Sequence, residues 1–276
     1  MAAWRAHDHG VGMTPAGRWA DLRLRIASGL VLAVVGAVTT WVGGSLFLLL
    51  VLVLYAVMTW ELAGMTALDA GPVRIALAAL AALSIWAAMT QLDRPFGLIA
   101  LMLPPLGLFV TMRADRLLIA AYDAAMMASA AGVILLRQGG ALVFLWIVLV
   151  VVVTDILGYF AGRAFGGPRF WPAISPKKTW SGTIAGWVGA ALVGTAFWIA
   201  GYGGPGLILL SPLVALAGQI GDIIESWIKR RANVKDASDL IPGHGGVLDR
   251  FDALIGAVLV VVIAAQILPL PIHAAG

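Results

Sequence analysis

Residues 141–153 read Ala-Leu-Val-Phe-Leu-Trp-Ile-Val-Leu-Val-Val-Val-Val, an apolar run with no charged side chain. A helix needs about 20 mostly apolar residues to cross a hydrocarbon core about 30 Å thick. Transmembrane β-strands would instead show short segments in which apolar and polar residues alternate. The run therefore predicts a membrane-spanning helix, and Thr154-Asp155 follows it directly.

The composition extends this interpretation to the whole chain. Of its 276 residues, 61% are hydrophobic and 12% are charged, and the mean hydropathy is +0.97. A soluble domain is about a quarter charged and about half apolar, and a disordered chain has low hydrophobicity. The absence of cysteine excludes a disulfide scaffold, thiol catalysis and thiolate metal sites. We therefore predict an all-α fold, a polytopic integral membrane helical bundle.

Glycine pairs punctuate the apolar runs and mark the predicted breaks between about nine spans. Pro104-Pro105 interrupts the fourth span and predicts a kink there. With no internal repeat and no linker, residues 26–276 are predicted to form a single membrane domain that carries the catalytic motifs in 155–252, preceded by a polar, basic tail at 1–25. The predicted spans are 26–42, 45–62, 73–90, 96–112, 117–136, 140–161, 180–200, 206–228 and 253–270.

The distribution of Lys and Arg predicts the orientation of the bundle. With the N-terminus in the cytoplasm, sixteen of these residues fall on the inner side and two, Arg94 and Arg137, on the outer side. This asymmetry fits the positive-inside rule and an integral plasma (inner) membrane protein. The net charge of +4 is then explained by topology and anionic lipid headgroups, and we expect no nucleic-acid partner.

Half of the charged residues lie in two polar islands, 155–181 and 222–252, both on the predicted cytoplasmic side. Carboxylates at membrane depth are costly and usually functional. Clustered carboxylates without cysteine favour a hard cation, Mg²⁺ above all. The alternative is ion pairing with nearby bases, or compensation of a helix N-terminus. The candidate metal ligands are Asp222 and Glu225, which share a helix face, Asp249 and Asp252 with the same spacing, and Asp155.

The same islands hold bases on glycine-rich backbone, a combination that suits a metal-bound polyphosphate. Arg231 is interpreted as a topology determinant. His244 lies in Pro-Gly-His-Gly-Gly, which predicts a loop, and a zinc site is not expected. Glu61 and Asp123 are predicted to serve helix–helix hydrogen bonding, and the alternative is that one of them lines the cavity. The candidate phosphate-binding bases are Lys177, Lys178, Lys229 and Lys235.

A 27-residue stretch, Ser226-x-x-Lys229-Arg230, Lys235-Asp236 and Pro242-x-His244-Gly245-Gly246-x-x-Asp249-Arg250-x-Asp252, resembles the signature of the phosphatidate cytidylyltransferases, or CDP-diacylglycerol synthases. Two upstream blocks, Asp155-x-x-Gly158-Tyr159 and Ser175-Pro176-Lys177-Lys178-Thr179-Trp180, also resemble this family. Ser181 departs from it, since many members carry Glu there. The motifs cover roughly the C-terminal half of the chain.

The resemblance implies a reaction in phospholipid biosynthesis: CTP and phosphatidate give CDP-diacylglycerol and pyrophosphate, with Mg²⁺. The family's metal-binding aspartates match Asp222 and Asp249, which are assigned here as catalytic together with Lys229 and Lys235. The resemblance also implies K⁺ at the metal site and a homodimer. The residues expected to bind substrate are Lys177, Lys178, Thr179, Ser226, Arg230, His244 and Arg250.

Two alternative functions stay open at this point. A CTP-dependent membrane lipid kinase would need a similar metal–nucleotide site. A polytopic transporter is the non-enzyme alternative, although it predicts midplane charges and often internal repeats. A CDP-alcohol phosphotransferase is disfavoured because its D-G-x-x-A-R motif is absent.

Overall fold

The computed structural model describes residues 15–65, 71–91, 95–112, 114–267 and 269–272. Within these residues the chain forms a helical bundle and one short hairpin. The elements are α1 (Pro15–Val42), α2 (Gly44–Met65), α3 (Gly71–Thr90), α4 (Pro95–Ala100), α5 (Leu103–Thr111), α6 (Arg116–Gln138), α7 (Ala141–Phe165), β1 (Arg169–Trp171), β2 (Ser175–Thr179), α8 (Trp180–Ile199), α9 (Leu207–Arg231) and α10 (Leu248–Ile267).

Seven of the described helices, α2, α3 and α6 to α10, are long and apolar enough to cross a membrane. Two shorter apolar segments, Ala27–Val42 of α1 and Gly97–Thr111 across α4 and α5, match the other two predicted spans. Large apolar side chains such as Leu209 and Val110 are more than three-quarters exposed, which suits a lipid-facing surface. The predicted all-α integral membrane fold is confirmed.

Several predicted boundaries need correction. The fourth span breaks at residues 101–102, and Pro104-Pro105 lie in the first turn of α5, where a missing N–H costs no helix hydrogen bond. The last span begins at Leu248 and not at 253, so Asp249 and Asp252 belong to its first two turns. The polar segment before residue 26 is helical from Pro15 and continuous with the first span; the rest of the predicted tail lies outside the described residues.

The hairpin between α7 and α8 was not predicted. β1 and β2 pair antiparallel, with Arg169 opposite Thr179. The strands have three and five residues, too few for an alternating pattern to be read from the sequence. Thr179 ends the hairpin and caps α8, because its side chain accepts a hydrogen bond from the amide of Gly182 at 3.3 Å.

Helices α7 to α10 follow one another along the chain, and the hairpin between α7 and α8 and the loop between α9 and α10 bring the polar ends of all four to one end of the bundle. Small residues bring neighbouring backbones together: a Cβ on Gly182 would lie 2.5 Å from the carbonyl oxygen of Gly158. A Cβ on Gly256 would likewise collide with the carbonyl oxygen of Ala217 on α9. This packing leaves room for the two polar islands to meet.

Contacts at the helix ends agree with an alternating up-and-down order. At the polar end, Arg231 of α9 donates to both carboxylate oxygens of Asp115, which precedes α6, and these hydrogen bonds lower the pKa of Asp115. At the opposite end, Arg137 of α6 donates to the carbonyl oxygens of Thr40 and Trp41 on α1, at 2.5 and 3.1 Å. Both contacts place helix ends where an alternating order requires them.

Candidate active site

The two polar islands meet at the end of α9. Lys178, in β2, forms an ion pair with Asp222, and each of the two side chains is between a quarter and a third exposed. Ser226 lies one turn after Asp222 and donates to its Oδ1 at 3.2 Å. Lys178 and Asp222 are 44 positions apart along the chain. The hairpin and α9 thus share one charged cluster.

Three carboxylates converge beside this ion pair. Asp222, Glu225 and Asp252 each present one oxygen, and these oxygens lie within 4.8 Å of one another. The convergence follows from sequence spacing, since Asp222 and Glu225 share a face of α9 and Asp252 faces them from α10. Asp252 also accepts a hydrogen bond from the amide of Ala253 at 2.7 Å.

Glu225 is the most buried of the three. Its side chain is 0% exposed, and its Oε1 has no hydrogen-bond partner among the described residues. A buried polar atom without a partner costs free energy, so this oxygen is available to a ligand, an ion or a water molecule. Oxygen-only donors at this separation suit a hard divalent cation.

Lys229 links this cluster to α10. Its Nζ lies 2.6 Å from Oε2 of Glu225, one turn earlier on α9, and 2.5 Å from Oδ1 of Asp249. The lysine side chain is 11% exposed and that of Asp249 is 4% exposed. Two buried carboxylates therefore share one buried ammonium group.

Asp249 is held by the loop before α10. Its Oδ2 accepts hydrogen bonds from the backbone amides of Ala237, at 2.8 Å, and Gly246, at 2.7 Å. Both oxygens of this carboxylate are therefore already engaged, one by Lys229 and one by the loop. The structure places Asp249 beside the group of three converging carboxylates and not within it.

Asp155 lies at the edge of the same region. It is close enough to Asp222, Lys178 and Arg250 for Coulombic interaction with each. The C-terminal half of α7 therefore contributes a further acid to the site, next to the ion pair between the two islands.

The loop between α9 and α10 lines an open polar cavity of about 460 Å³. Arg250 closes one side of it, because its Nε and Nη2 donate to the carbonyl oxygen of His244 at 3.1 and 2.6 Å. The ring of His244 is tied to α1, with Nδ1 2.8 Å from the hydroxyl of Ser28. The cavity is lined by Lys235, Asp236, Asp239, Ile241, Pro242, Gly243, His244, Gly245 and Arg250.

The remaining predicted binding residues lie around these groups. Lys177 is exposed next to Lys178. The hydroxyl of Thr179 lies 3.0 Å from that of Ser181, whose Oγ also contacts the carbonyl oxygen of Gly166 at 2.5 Å. Arg230 is exposed at the end of α9, where its Nη1 lies 3.5 Å from the carbonyl oxygen of Val234.

Two residues outside the motifs belong to the same region: Glu61, for which helix–helix hydrogen bonding was the favoured prediction, and Tyr122, which motif reasoning missed. Glu61, on α2, bonds the loop and the start of α10. Tyr122, on α6, is buried and interacts electrostatically with Glu225, Asp252 and Asp222, and its hydroxyl has no hydrogen-bond partner among the described residues. By contrast, Asp123 accepts a hydrogen bond from Thr59 of α2 at 3.0 Å, which confirms its predicted helix–helix role.

Fold and site together define a polytopic membrane protein with an acid–base site at one end of its bundle. Residues 23–268 match the model of the cytidylyltransferase family, so the chain belongs to this family. The expected family resemblance is thereby confirmed.

Its relatives include proteins named phosphatidate cytidylyltransferase. That of Brucella abortus biovar 1 (strain 9-941) is 51% identical over 106 residues, which cover 38% of this chain and 39% of the relative. That of Haemophilus influenzae is 40% identical over 126 residues, covering 43% and 44%. That of Bacillus subtilis (strain 168) is 37% identical over 127 residues, covering 44% and 46%. The chain thus spans less than half the length of each of these relatives.

Proposed function

We propose that this chain is a phosphatidate cytidylyltransferase, which transfers CMP from CTP to phosphatidate and releases pyrophosphate. The observation that carries the proposal is the convergence of both polar islands on one buried carboxylate cluster in a membrane-embedded bundle. Family membership and the names of the relatives support the same reaction. A membrane site is needed because one substrate is water-soluble and the other stays in the bilayer.

The reaction needs little covalent help from the protein. A phosphate oxygen of phosphatidate forms a bond to the α-phosphorus of CTP, and the bond from that phosphorus to the oxygen bridging to the β-phosphate breaks. The bond electrons leave with pyrophosphate. The second pKa of a phosphate monoester is about 6, so the attacking group is already ionised near neutral pH. Catalysis is then mainly positioning and charge neutralisation.

The chain's own residues have distinct tasks in this proposal. Lys178 and Lys177 bind phosphate oxygens from the hairpin, and Lys235 does so from the loop cavity. Lys229 keeps Asp249 and Glu225 in place and balances their charge. Hydrogen bonds from Thr179 and Ser226, together with contacts from Arg230, His244 and Arg250, orient the nucleotide.

Mg²⁺ is the proposed cofactor, and it fits the donor set. Asp222, Glu225 and Asp252 would hold it, with Asp249 and Asp155 as neighbouring acids. When bound, Mg²⁺ supplies positive charge that offsets the negative charge of the CTP phosphates. Asp155 is matched by Arg250, and the other four carboxylates carry a formal charge of −4 against +2 from Lys178 and Lys229, so a divalent cation balances the remainder. The K⁺ ion and the homodimer implied by the family resemblance belong to the same proposal.

The proposed location is the plasma (inner) membrane, with the site and the N-terminus facing the cytoplasm. The excess of Lys and Arg at the predicted inner ends supports this orientation. CTP then reaches the site from the cytoplasm, while the acyl chains of phosphatidate stay between the helices and the lipid.

The proposal is tested with the purified full chain in detergent, given labelled CTP, phosphatidate and Mg²⁺. We expect a CDP-lipid and pyrophosphate, and loss of both in Asp222→Asn and Asp249→Asn. Asp115→Asn is the matched control, since Asp115 is an acid at the same end of the bundle that pairs with Arg231 outside the cluster. Release of CDP would indicate a lipid kinase instead. No product, or full activity in both site variants, would refute the assignment.

A further inference from the structure

Glu61 makes a set of contacts that the proposed reaction does not account for. The side chain is 0% exposed and lies near the C-terminal end of α2, far in sequence from the signature residues. Its Oε1 accepts hydrogen bonds from the hydroxyl of Ser238 at 2.5 Å and the amide of Val247 at 2.9 Å. Its Oε2 accepts one from the amide of Leu248 at 2.7 Å. One carboxylate thus binds three donors of the loop and of the first residue of α10.

Glu61 and Asp249 divide the donors of this loop between them. Asp249 accepts from the amides of Ala237 and Gly246, whereas Glu61 accepts from the neighbouring donors at Ser238, Val247 and Leu248. Two segments, 237–238 in the loop and 246–248 at the start of α10, are therefore held together by hydrogen bonds to these two carboxylates. We call this arrangement the carboxylate clamp.

The clamp gives a physical reason for the glycine at position 246. A Cβ at this position would lie 2.7 Å from Oε1 of Glu61 and 3.0 Å from the Cβ of Ala237. Real Cβ atoms do not approach so closely, so any side chain here would push Glu61 away from its donors. The observed position of Glu61 thus requires a glycine at residue 246 of the signature.

The clamp also fixes where α10 begins. The amides of Val247 and Leu248 lie at the helix N-terminus, where backbone N–H groups lack helical partners and a negative charge is stabilising. Asp249 and Asp252 follow within the next four residues, so the position of this terminus sets the position of both carboxylates.

We propose that Glu61 is a positioning residue, which acts through the start of α10 to place Asp252 against Asp222 and Glu225 for cation binding. The hydrogen bonds of Glu61 are observed whatever reaction the protein catalyses, but the effect of Glu61 on catalysis rests on the proposed function. A glutamine in its place keeps the size of the side chain but offers one carbonyl oxygen, and its amide group meets the donor N–H of Leu248 or Val247. At least one of these hydrogen bonds is then lost.

The experiment compares the wild-type chain with Glu61→Gln, both full-length and in detergent without substrates. We expect amide hydrogen exchange at Val247 and Leu248 to become roughly tenfold faster or more, as for loss of a hydrogen bond to a charged group. The Mg²⁺ concentration that half-maximally protects the chain against thermal unfolding should rise by a similar factor. Neither readout requires turnover.

Asp123→Asn is the matched control, because Asp123 is also a fully buried intramembrane acid and contacts Thr59 instead of the loop. It should leave both the loop exchange and the Mg²⁺ midpoint unchanged. If Glu61→Gln does not fold, Gly246→Ala replaces it, since it displaces the same carboxylate while keeping Glu61. Unchanged exchange in the folded variant overturns the proposal, and so does faster exchange with an unchanged Mg²⁺ midpoint, which would indicate a structural role alone.

The two proposals fail in different ways. A wild-type chain that makes no CDP-lipid refutes the proposed function, yet the exchange and Mg²⁺ measurements still test the clamp. An active wild-type chain whose loop exchange is insensitive to Glu61→Gln refutes the clamp and leaves the proposed function standing.

Discussion

Removing the ammonium group of Lys229 would leave two buried carboxylates without their shared cation. Glu225 and Asp249 lie 2.6 and 2.5 Å from this Nζ, and their side chains are 0% and 4% exposed. Deleting one partner of a buried ion pair typically destabilises a protein by about 3–5 kcal/mol, because the remaining charge stays buried and unpaired. We expect Lys229→Ala to lie in this range, since it leaves two such charges and removes a long side chain.

Arg231 is the matched control, two residues later on the same helix. Its ion pair with Asp115 is exposed, with side chains 46% and 32% accessible, so solvent already screens the two charges. Arg231→Ala should therefore change stability little. The two variants remove a similar charge from the same helix end and differ mainly in burial.

The assay is reversible unfolding of the full chain in mixed micelles by added denaturing detergent, followed through its eleven tryptophans. The double variant Lys229→Ala with Glu225→Gln should recover part of the loss, because it neutralises one of the two stranded carboxylates; coupling in such pairs is about 0.5–3 kcal/mol. Equal stability of Lys229→Ala and Arg231→Ala, or no coupling in the double variant, would refute the reasoning.

Three further predictions concern the surroundings of this pair. Lys178→Ala should raise the KM for CTP about tenfold or more in the cytidylyltransferase assay, and more than Lys177→Ala does, because Lys178 alone of the two contacts Asp222; an equal effect of both would contradict this. Tyr122→Phe should leave the free energy of unfolding unchanged or slightly higher, since it deletes a buried hydroxyl without a partner; a loss above about 1 kcal/mol would mean that the hydroxyl is bonded. The chain has no cysteine, so a single cysteine can be introduced at either of two exposed positions, by Asp239→Cys or by Tyr202→Cys. The two variants should react with an impermeant maleimide from opposite sides of sealed vesicles. Labelling of both variants from the same side would exclude the proposed topology.

The fold could be predicted because a membrane helix is recognisable from the apolar residues of its own segment. Long apolar runs ended by glycine pairs located the helices, and the breaks at Gly43 and at residues 139–140 and 166–167 are confirmed. The hairpin and the true start of α10 could not be predicted in this way. Both depend on contacts with distant parts of the chain: the start of α10 is capped by Glu61, 187 positions away from Leu248.

The candidate site was predictable as a group of residue types and not as a network. Spacing placed Asp222 with Glu225 and Asp249 with Asp252 on shared helix faces. The spacing could not show which carboxylates would form ion pairs with Lys229 and which would remain available to a cation. The structure divides each pair: Asp249 and Glu225 share the lysine, while Asp222 and Asp252 converge with Glu225. That division depends on the relative depth of α9 and α10, which a single sequence does not encode locally.

The early helices of the bundle take part in the site and do more than anchor it. Ser28 of α1 contacts His244, Glu61 of α2 holds the start of α10, and Tyr122 of α6 interacts electrostatically with the carboxylates. The first two contacts reach a loop or helix end whose position decides the distance between charged groups, and the third reaches the charged groups themselves. Charges in apolar surroundings interact strongly, so small shifts of these elements change the energy of the whole cluster. Substitutions of Glu61 and Tyr122 should therefore alter cation binding although no signature residue is changed, whereas Asp123→Asn, next to Tyr122 on α6 but bonded to Thr59, should not.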